Sequence, residues 1–139
     1  MATILLVEDV LDIGSYEAGL LEDRGHRVII CRGGPASFSM CPLIRDGSCS
    51  IADEADMLLF SSSLYAPVGL QAHTGLHLLR RYRAHPDYGT LPCLVVAVGN
   101  PGSLPGSGPI RTIGKFAPAR EVVAAVDALL AVAGDRTRR

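Results

Sequence analysis

Three groups of polar residues in this chain could act together in one chemical site. Glu8 and Asp9 directly follow the apolar run TILLV, Ser61 opens a run of three serines after ADMLLF, and Lys115 follows IRTIG. An acidic pair can hold a hard divalent cation through its oxygens, and a lysine can neutralise a carboxylate or a phosphoryl group. A serine hydroxyl is protonated near neutral pH and needs a base before it can act as a nucleophile. The sequence near Ser61 shows no residue that would serve as that base.

The segments that precede these groups predict the strands that position them. Short continuous apolar runs are typical of strands covered on both faces of a parallel sheet. Five such runs predict strands at 3–7, 27–31, 55–60, 91–98 and 110–114. Apolar residues at helical spacing predict three helices. The first follows the first strand, and its apolar face carries Leu11, Ile13, Tyr16, Leu20 and Leu21. The second lies at 74–85, and the third lies at 117–134 and ends at Gly134.

Two segments lack a helical pattern. Residues 33–52 are rich in Gly, Pro and Ser, which indicates a loop with at most a short helical turn. Residues 99–109 carry three prolines and four glycines in eleven positions, a composition that cannot hold a helix. The helix after the second strand is therefore expected to be shortened or irregular, and the helix after the fourth strand to be replaced by a loop.

Strands that alternate with helices at this spacing predict a parallel sheet with helices on both faces. Right-handed crossovers commonly arrange five such strands in the order 2-1-3-4-5, and sites in these sheets form at the carboxyl ends of the strands. Glu8, Asp9, Ser61 and Lys115 all follow a predicted strand directly. We therefore expect these four residues to converge.

This constellation resembles the receiver domain of bacterial two-component response regulators. The resemblance covers most of the chain and is carried by ILLVEDVLDI, ADMLLF, TGLHLLRRYR and GKFAPAREVVAAVDALL. It implies a flavodoxin-like three-layer α/β/α sandwich. It also implies that Glu8 and Asp9 match an acidic pair that holds a divalent metal ion, and that Lys115 matches a lysine that contacts the phosphoryl group.

Four positions depart from the pattern of that family. Ser61 stands at the position of the phosphate-accepting aspartate, and Ala97 stands at the position of a Thr or Ser that contacts the phosphoryl group. Thr112 occupies the aromatic switch position, and Phe116 replaces a proline after the lysine. An acyl phosphate needs a carboxylate nucleophile, so Ser61 excludes aspartyl phosphorylation at this position. The resemblance is strong for fold and poor for activity.

These departures predict a degenerate receiver, a stand-alone signalling module that binds a protein partner and catalyses no reaction. Glu8 and Asp9 could form a charge cluster with Lys115 that needs no metal, or could bind magnesium weakly. Ser61 could fill a collapsed pocket or be modified by a separate kinase. The family pairs through its fourth helix, fifth strand and fifth helix, so the missing fourth helix makes that dimer doubtful.

The cysteines support an alternative function. Cys41 and Cys49 lie eight positions apart in the loop after the second strand, and Cys31 ends that strand. Such a set could form a reversible disulfide or a metal clip, which would make the chain a redox- or metal-responsive module, although the spacing is not the tighter C-x-x-C pattern. The other possibility is unpaired thiols, with Cys31 and Cys93 as small buried residues. A flavin or nucleotide cofactor has little support, because the glycines of 99–109 show no fingerprint spacing.

Composition narrows the remaining classes of function. The chain has 139 residues, a net charge of −1 and 48% hydrophobic residues, which predicts one well-packed domain with no footprint for nucleic acid. No apolar run is long enough for a membrane span, and the N-terminus does not resemble a secretion signal. We expect a cytoplasmic protein with a receiver-like domain at 1–134 and a flexible basic tail at 135–139.

Overall fold

The computed structural model describes residues 1–8, 11–31, 41–61 and 75–137. A five-stranded parallel sheet is at its centre, and its elements follow one another in the alternating order that the sequence predicts. In chain order they are β1 (Thr3–Val7), α1 (Leu11–Glu22), β2 (Arg27–Cys31), α2 (Pro42–Asp46), α3 (Ser50–Asp53), β3 (Met57–Phe60), α4 (Gly75–Ala84), β4 (Cys93–Ala97), β5 (Ile110–Gly114) and α5 (Ala119–Thr137).

The strands are arranged in the order β2-β1-β3-β4-β5, which confirms the predicted topology. Every neighbouring pair is parallel, with Val7 opposite both Cys31 and Phe60, and Ala97 opposite Gly114. The carboxyl ends of all five strands therefore lie along one edge of the sheet. The fold is a flavodoxin-like sandwich, as expected.

The sheet separates two hydrophobic layers. One face packs against α1 and α5 through residues such as Leu21, Val126 and Leu129. The other face packs against α2, α3 and α4 through residues such as Leu43 and Leu79. Strands β3 and β4 are buried along their whole length, because helices or loops cover both of their faces. This burial explains why the sequence shows them as continuous apolar runs.

The predicted element bounds hold at three strands and differ elsewhere. Strands β1, β2 and β5 have the predicted limits, whereas β3 and β4 are shorter than predicted, by two and three residues. The prediction that the last helix ends at Gly134 is wrong, because α5 continues to Thr137. A glycine inside a helix costs only about 1 kcal/mol relative to alanine, so it need not end one.

In residues 41–56, the described part of the segment after β2, the structure has two short helices where a loop with at most one helical turn was predicted. Within the described part of this segment, α2 has five residues and α3 has four. Helix α2 starts with a proline in its first turn and ends at Gly47, whose positive φ of 83° favours glycine. The side chain of Tyr88 fixes α3, since its hydroxyl accepts a bond from the Cys49 amide and lies 2.6 Å from Asp53 Oδ1.

No helix connects β4 to β5, which confirms that prediction for residues 98–109, all of which are described. A buried arginine on α4 holds this loop in place. The Arg83 side chain donates to the carbonyl oxygens of Leu91 at 3.2 Å, Pro105 at 3.0 Å and Gly108 at 2.8 Å, and the residue is 2% exposed. The loop therefore has a defined conformation despite its glycines. Among the described residues, no helix has the length and apolar character to span a membrane.

Candidate functional site

The backbone brings three of the predicted site residues to one edge of the sheet. The amide of Glu8 donates to Cys31 O at 3.0 Å, that of Ser61 to Val7 O at 2.8 Å, and that of Lys115 to Ala97 O at 3.1 Å. Each bond extends the strand pairing by one residue. The positions of Glu8, Ser61 and Lys115 are therefore set by the sheet itself and not by mobile loops.

The Lys115 ammonium group joins these residues. Its Nζ lies 2.8 Å from Glu8 Oε2 and 3.0 Å from Ser61 Oγ, and it also donates to the carbonyl oxygen of Ser61. The Glu8 side chain is fully buried, and the Lys115 side chain is 18% exposed. A buried carboxylate requires such a partner, because an unpaired charge in this position would be strongly unfavourable.

The remaining predicted positions lie apart from this cluster or outside the described residues. Asp9 belongs to the part of the chain that the structure does not describe. Ala97 is buried at the end of β4 and offers no functional group. Thr112 is exposed on β5, and Phe116 is 92% exposed beyond it.

Glu17 is a member of the site that the sequence interpretation missed. It lies on α1, is 5% exposed, and accepts a hydrogen bond from Ser61 Oγ onto Oε2 at 3.0 Å. The predicted apolar face of this helix is correct only in part: Leu21 is buried as predicted, but Tyr16 is 59% exposed and the buried stripe runs through Gly14, Glu17, Ala18 and Leu21. The i, i+3, i+4, i+7 spacing of these four residues is the signal that could have revealed it.

Burial raises the pKa of the Glu17 carboxyl to about 7, and the negative charge of Glu8 adds to this shift. The hydrogen bond from Ser61 and the charge of Lys115 oppose it. Oε1 of Glu17 is buried and has no hydrogen-bond partner among the described residues, which is unfavourable for an ionised carboxylate. Near neutral pH, Glu17 therefore exists in both protonation states.

No residue close to Ser61 in the sequence could serve as a base, but the fold places the Glu17 carboxyl from a different element against its hydroxyl. Ser61 is fully buried, and its hydroxyl lies between the Glu17 carboxyl and the Lys115 ammonium. Among the described residues, Glu8, Glu17, Ser61 and Lys115 therefore form a closed polar cluster.

The described residues do not fit a magnesium ion. Such an ion needs several free oxygen ligands, usually including carboxylates. Here Lys115 already binds Glu8 Oε2 and Ser61 Oγ, and a serine replaces the carboxylate expected after β3. Among the described residues, no three His, Cys, Asp or Glu side chains are grouped so that they could hold a metal.

The cysteines of the alternative hypothesis share one region of the fold. Cys31 and Cys41 are half-buried and Cys49 is buried, and all three pack into the layer beneath α2 and α3. Each is a free thiol, and no disulfide joins Cys41 to Cys49. Burial raises the pKa of Cys31 to about 11, and the neighbouring Cys41 and Cys49 contribute to the shift. Cys93 is buried in β4, as predicted.

Comparison with known proteins identifies the fold. Solved structures that resemble this chain include the N-terminal domain of a response regulator/sensory box/GGDEF protein from Carboxydothermus hydrogenoformans (15% identity, TM-score 0.65, covering 97% of this chain and 98% of that one). A second is a response regulator receiver domain protein from Clostridium thermocellum (13%, 0.63, 96% and 98%), and a third is the chemotaxis response regulator CheY4 of Vibrio cholerae (16%, 0.62, 93% and 98%). This chain has a receiver fold.

By contrast, comparison of the sequence finds no match, either to a family model or to a curated protein. The receiver fold is thus retained at 13–16% identity to these three structures. The layers that define the fold depend on apolar residues of suitable size, which many sequences can supply. The chemistry at the sheet edge depends on individual residues, so the fold alone does not transfer it.

Proposed function

We propose that this chain is a pseudo-receiver, a signalling module of the response regulator type that acts through protein–protein interaction without aspartyl phosphorylation. The closed cluster at the sheet edge carries this proposal. A receiver that accepts a phosphoryl group needs an accessible carboxylate after β3, whereas this chain has Ser61, fully buried and bonded on both sides. The Lys115 ammonium group contacts both Glu8 and Ser61 directly.

The positions that would transmit a phosphorylation signal also lack the necessary groups. Ala97 has no hydroxyl to follow a phosphoryl group, and Thr112 has no aromatic ring to change position. A switch needs an element with two alternative arrangements that the modification biases. We propose that the module presents a constant surface to its partner, has no resident cofactor, binds magnesium weakly if at all, and catalyses no reaction.

Incubation with acetyl phosphate and MgCl₂ tests this proposal. We expect the intact mass to remain unchanged and the amide NMR spectrum to show no shifts around Ser61 and Lys115. A catalytically competent receiver domain, treated in parallel, is the positive control for the phosphoryl donor. An added phosphate that is labile to hydroxylamine, the mark of an acyl phosphate, would disprove the proposal.

The second candidate function is the thiol-based module. It is favoured by one observation: Cys31, Cys41 and Cys49 pack into the same hydrophobic layer, and Cys41 and Cys49 lie near enough to Cys31 to raise its pKa. The raised pKa of Cys31 acts against it, because the protonated thiol is a poor nucleophile. Thiol counting under reducing and oxidising conditions, together with metal analysis of the purified protein, separates the two functions. The pseudo-receiver is expected to keep four free thiols and to contain no stoichiometric metal.

A further inference from the structure

Strand β5 has an unpaired edge. It is the last strand of the sheet and pairs only with β4 among the described residues. The bonds from the Cys93 amide to Pro109 O and from the Lys115 amide to Ala97 O show that odd-numbered residues of this segment face β4. Because the peptide groups of alternate residues point to opposite sides of a strand, the amides of Ile110, Thr112 and Gly114 point outward.

One face of β5 is also uncovered. Ile113 packs with α5 on the side shared with Val96, whereas the side chains on the opposite side, Ile110 and Thr112, are exposed. In β4, the residues on that same opposite side are buried. On this side α4 and Leu104 of the loop pack over β4, whereas the described residues leave β5 open.

The width of this opening selects the shape of the ligand. The uncovered face is only one strand wide. Neighbouring strands lie about 4.8 Å apart, whereas a helix with its side chains is about 10 Å wide, so the uncovered face matches a strand better than a helix. An extended chain can satisfy the three outward amides and continue the pleated surface. A docked helix would leave those backbone groups unpaired.

The charges near this edge select the composition of the ligand. From residue 88 to residue 120 the sequence contains Arg111, Lys115 and Arg120 and no Asp or Glu, with Asp87 and Glu121 flanking this stretch. Lys115 is paired with Glu8, so Arg111 and Arg120, both exposed, remain at the surface. Exposed apolar side chains accompany them at the carboxyl ends of β4 and β5, where Val98 is 68% exposed and Phe116 92% exposed.

We propose that the β5 edge accepts an extended segment of a partner protein, with acidic residues alternating with apolar ones, as a sixth strand of the sheet. Residues of that segment on the α5 side would lie near Arg111, and residues on the other side would lie near Ile110 and Thr112. Successive side chains of a strand point to opposite faces, which explains the alternation. This inference rests on the proposed function, since it names the surface through which a pseudo-receiver acts.

A second copy of this chain fits the edge less well. Antiparallel pairing of two β5 strands about Thr112 would bring two Arg111 side chains to diagonal positions on one face. Like charges that close together on a sheet are destabilising. The partner strand should instead carry carboxylates.

A fluorescent seven-residue peptide of alternating valine and glutamate is the probe for this surface. Binding is measured by anisotropy with the full chain, and amide hydrogen exchange is followed by NMR. We expect saturable binding that protects the outward amides of Ile110, Thr112 and Gly114 by at least about tenfold. The amides of Arg111 and Ile113, which already face β4, should change little.

Two variants and a control variant identify the site. Thr112→Pro removes one outward amide and should lower the affinity by about tenfold or more, because a proline cannot donate to an added strand. Arg111→Glu should lower the affinity for the valine–glutamate peptide by about tenfold and raise the affinity for a valine–lysine peptide. Arg27→Glu, at an exposed position on the opposite edge strand β2, is the matched control and should leave the affinity unchanged.

Several outcomes would overturn this inference. The first two are absence of binding at millimolar peptide concentration and protection of amides outside β5 by the peptide. The others are an affinity of the Arg111→Glu variant for the valine–glutamate peptide equal to that of the wild type, and a homodimer in sedimentation that the Thr112→Pro substitution dissociates. If Thr112→Pro fails to fold, the affinity of Arg111→Glu and the pattern of amide exchange still test whether the peptide binds at the β5 edge. The proposed function fails separately, through formation of an acyl phosphate, so the two failures are distinguishable.

Discussion

Replacement of Glu17 by glutamine should remove a pH dependence from the stability of this protein. Glutamine has nearly the same shape and can still accept the hydrogen bond from Ser61 Oγ, but it cannot ionise. In the wild type the pKa of Glu17 rises from 4.5 to about 7, mainly because the carboxyl is buried. The side chain is 5% exposed, so solvent screening reduces the effect little.

The direction of this pH dependence follows from the number of protons that Glu17 binds in the folded and in the unfolded state. Between pH 4.5 and about pH 7 the unfolded chain has lost the Glu17 proton while the folded protein keeps it. Stability therefore falls as the pH rises through this window, and the contribution levels off above the folded pKa. With 1.36 kcal/mol per pKa unit, the wild type should lose about 2–3 kcal/mol from this group between pH 5 and pH 8.

The assay is urea unfolding of both proteins at pH 5, 6, 7 and 8 and constant ionic strength. The free energy of unfolding of Glu17→Gln, relative to wild type, should increase by about 2–3 kcal/mol from pH 5 to pH 8. The other ionisable groups are the same in both proteins, so their contributions cancel in this difference. Glu22→Gln, an exposed position on the same helix, is the control and should give a constant difference.

A difference between Glu17→Gln and wild type that stays constant from pH 5 to pH 8 would refute the reasoning. It would mean that Glu17 ionises in the folded protein as it does in the unfolded chain. Glu17 would then have to be solvated, in conflict with its burial between Ser61 and Glu8. The closed cluster on which the proposed function rests would need revision as well.

Three further substitutions test other parts of the structure by urea unfolding. Lys115→Met should destabilise the protein by about 3–5 kcal/mol at pH 7, because the buried carboxylate of Glu8 loses its cationic partner. The destabilisation should be smaller at pH values low enough to protonate that carboxylate. An equal destabilisation at all pH values would contradict this prediction. Arg83→Met should cost about 3 kcal/mol or more, since three loop carbonyls lose their donor, whereas the exposed Arg80→Met should cost little. Tyr88→Phe should cost about 1–2 kcal/mol through loss of its hydroxyl contacts to α3, with increased exchange of the Cys49 amide as the second readout.

Much of the fold could be predicted from local features of the sequence. Strands β1, β2 and β5 have the predicted limits because each is a short apolar or β-branched run bounded by polar residues or glycine. The absence of a helix between β4 and β5 follows from the local density of proline and glycine. The meeting of Glu8, Ser61 and Lys115 follows from the topology, since parallel strands end at one edge.

The orientation of the helices was decided by tertiary structure. Helix α1 has a weak apolar pattern, and packing on the sheet selected the face that carries Glu17 over the face that carries Tyr16. Helix α4 shows the same effect, since Arg83 is buried although arginine is usually exposed, and loop carbonyls satisfy its donors. A polar residue can be buried only if distant groups pair with it, and those partners are not visible in its local sequence.

The sequence by itself therefore determined the order of strands and helices, the irregular connection before β5 and the loss of the carboxylate at position 61. Only the tertiary structure decided that Glu17 would lie against Ser61, that Arg83 would hold the loop, and that one face of β5 would be left uncovered. The physical reason is distance along the chain. Backbone propensity and apolar periodicity act over a few residues, whereas the partner of a buried charge or of a strand edge lies tens of residues away.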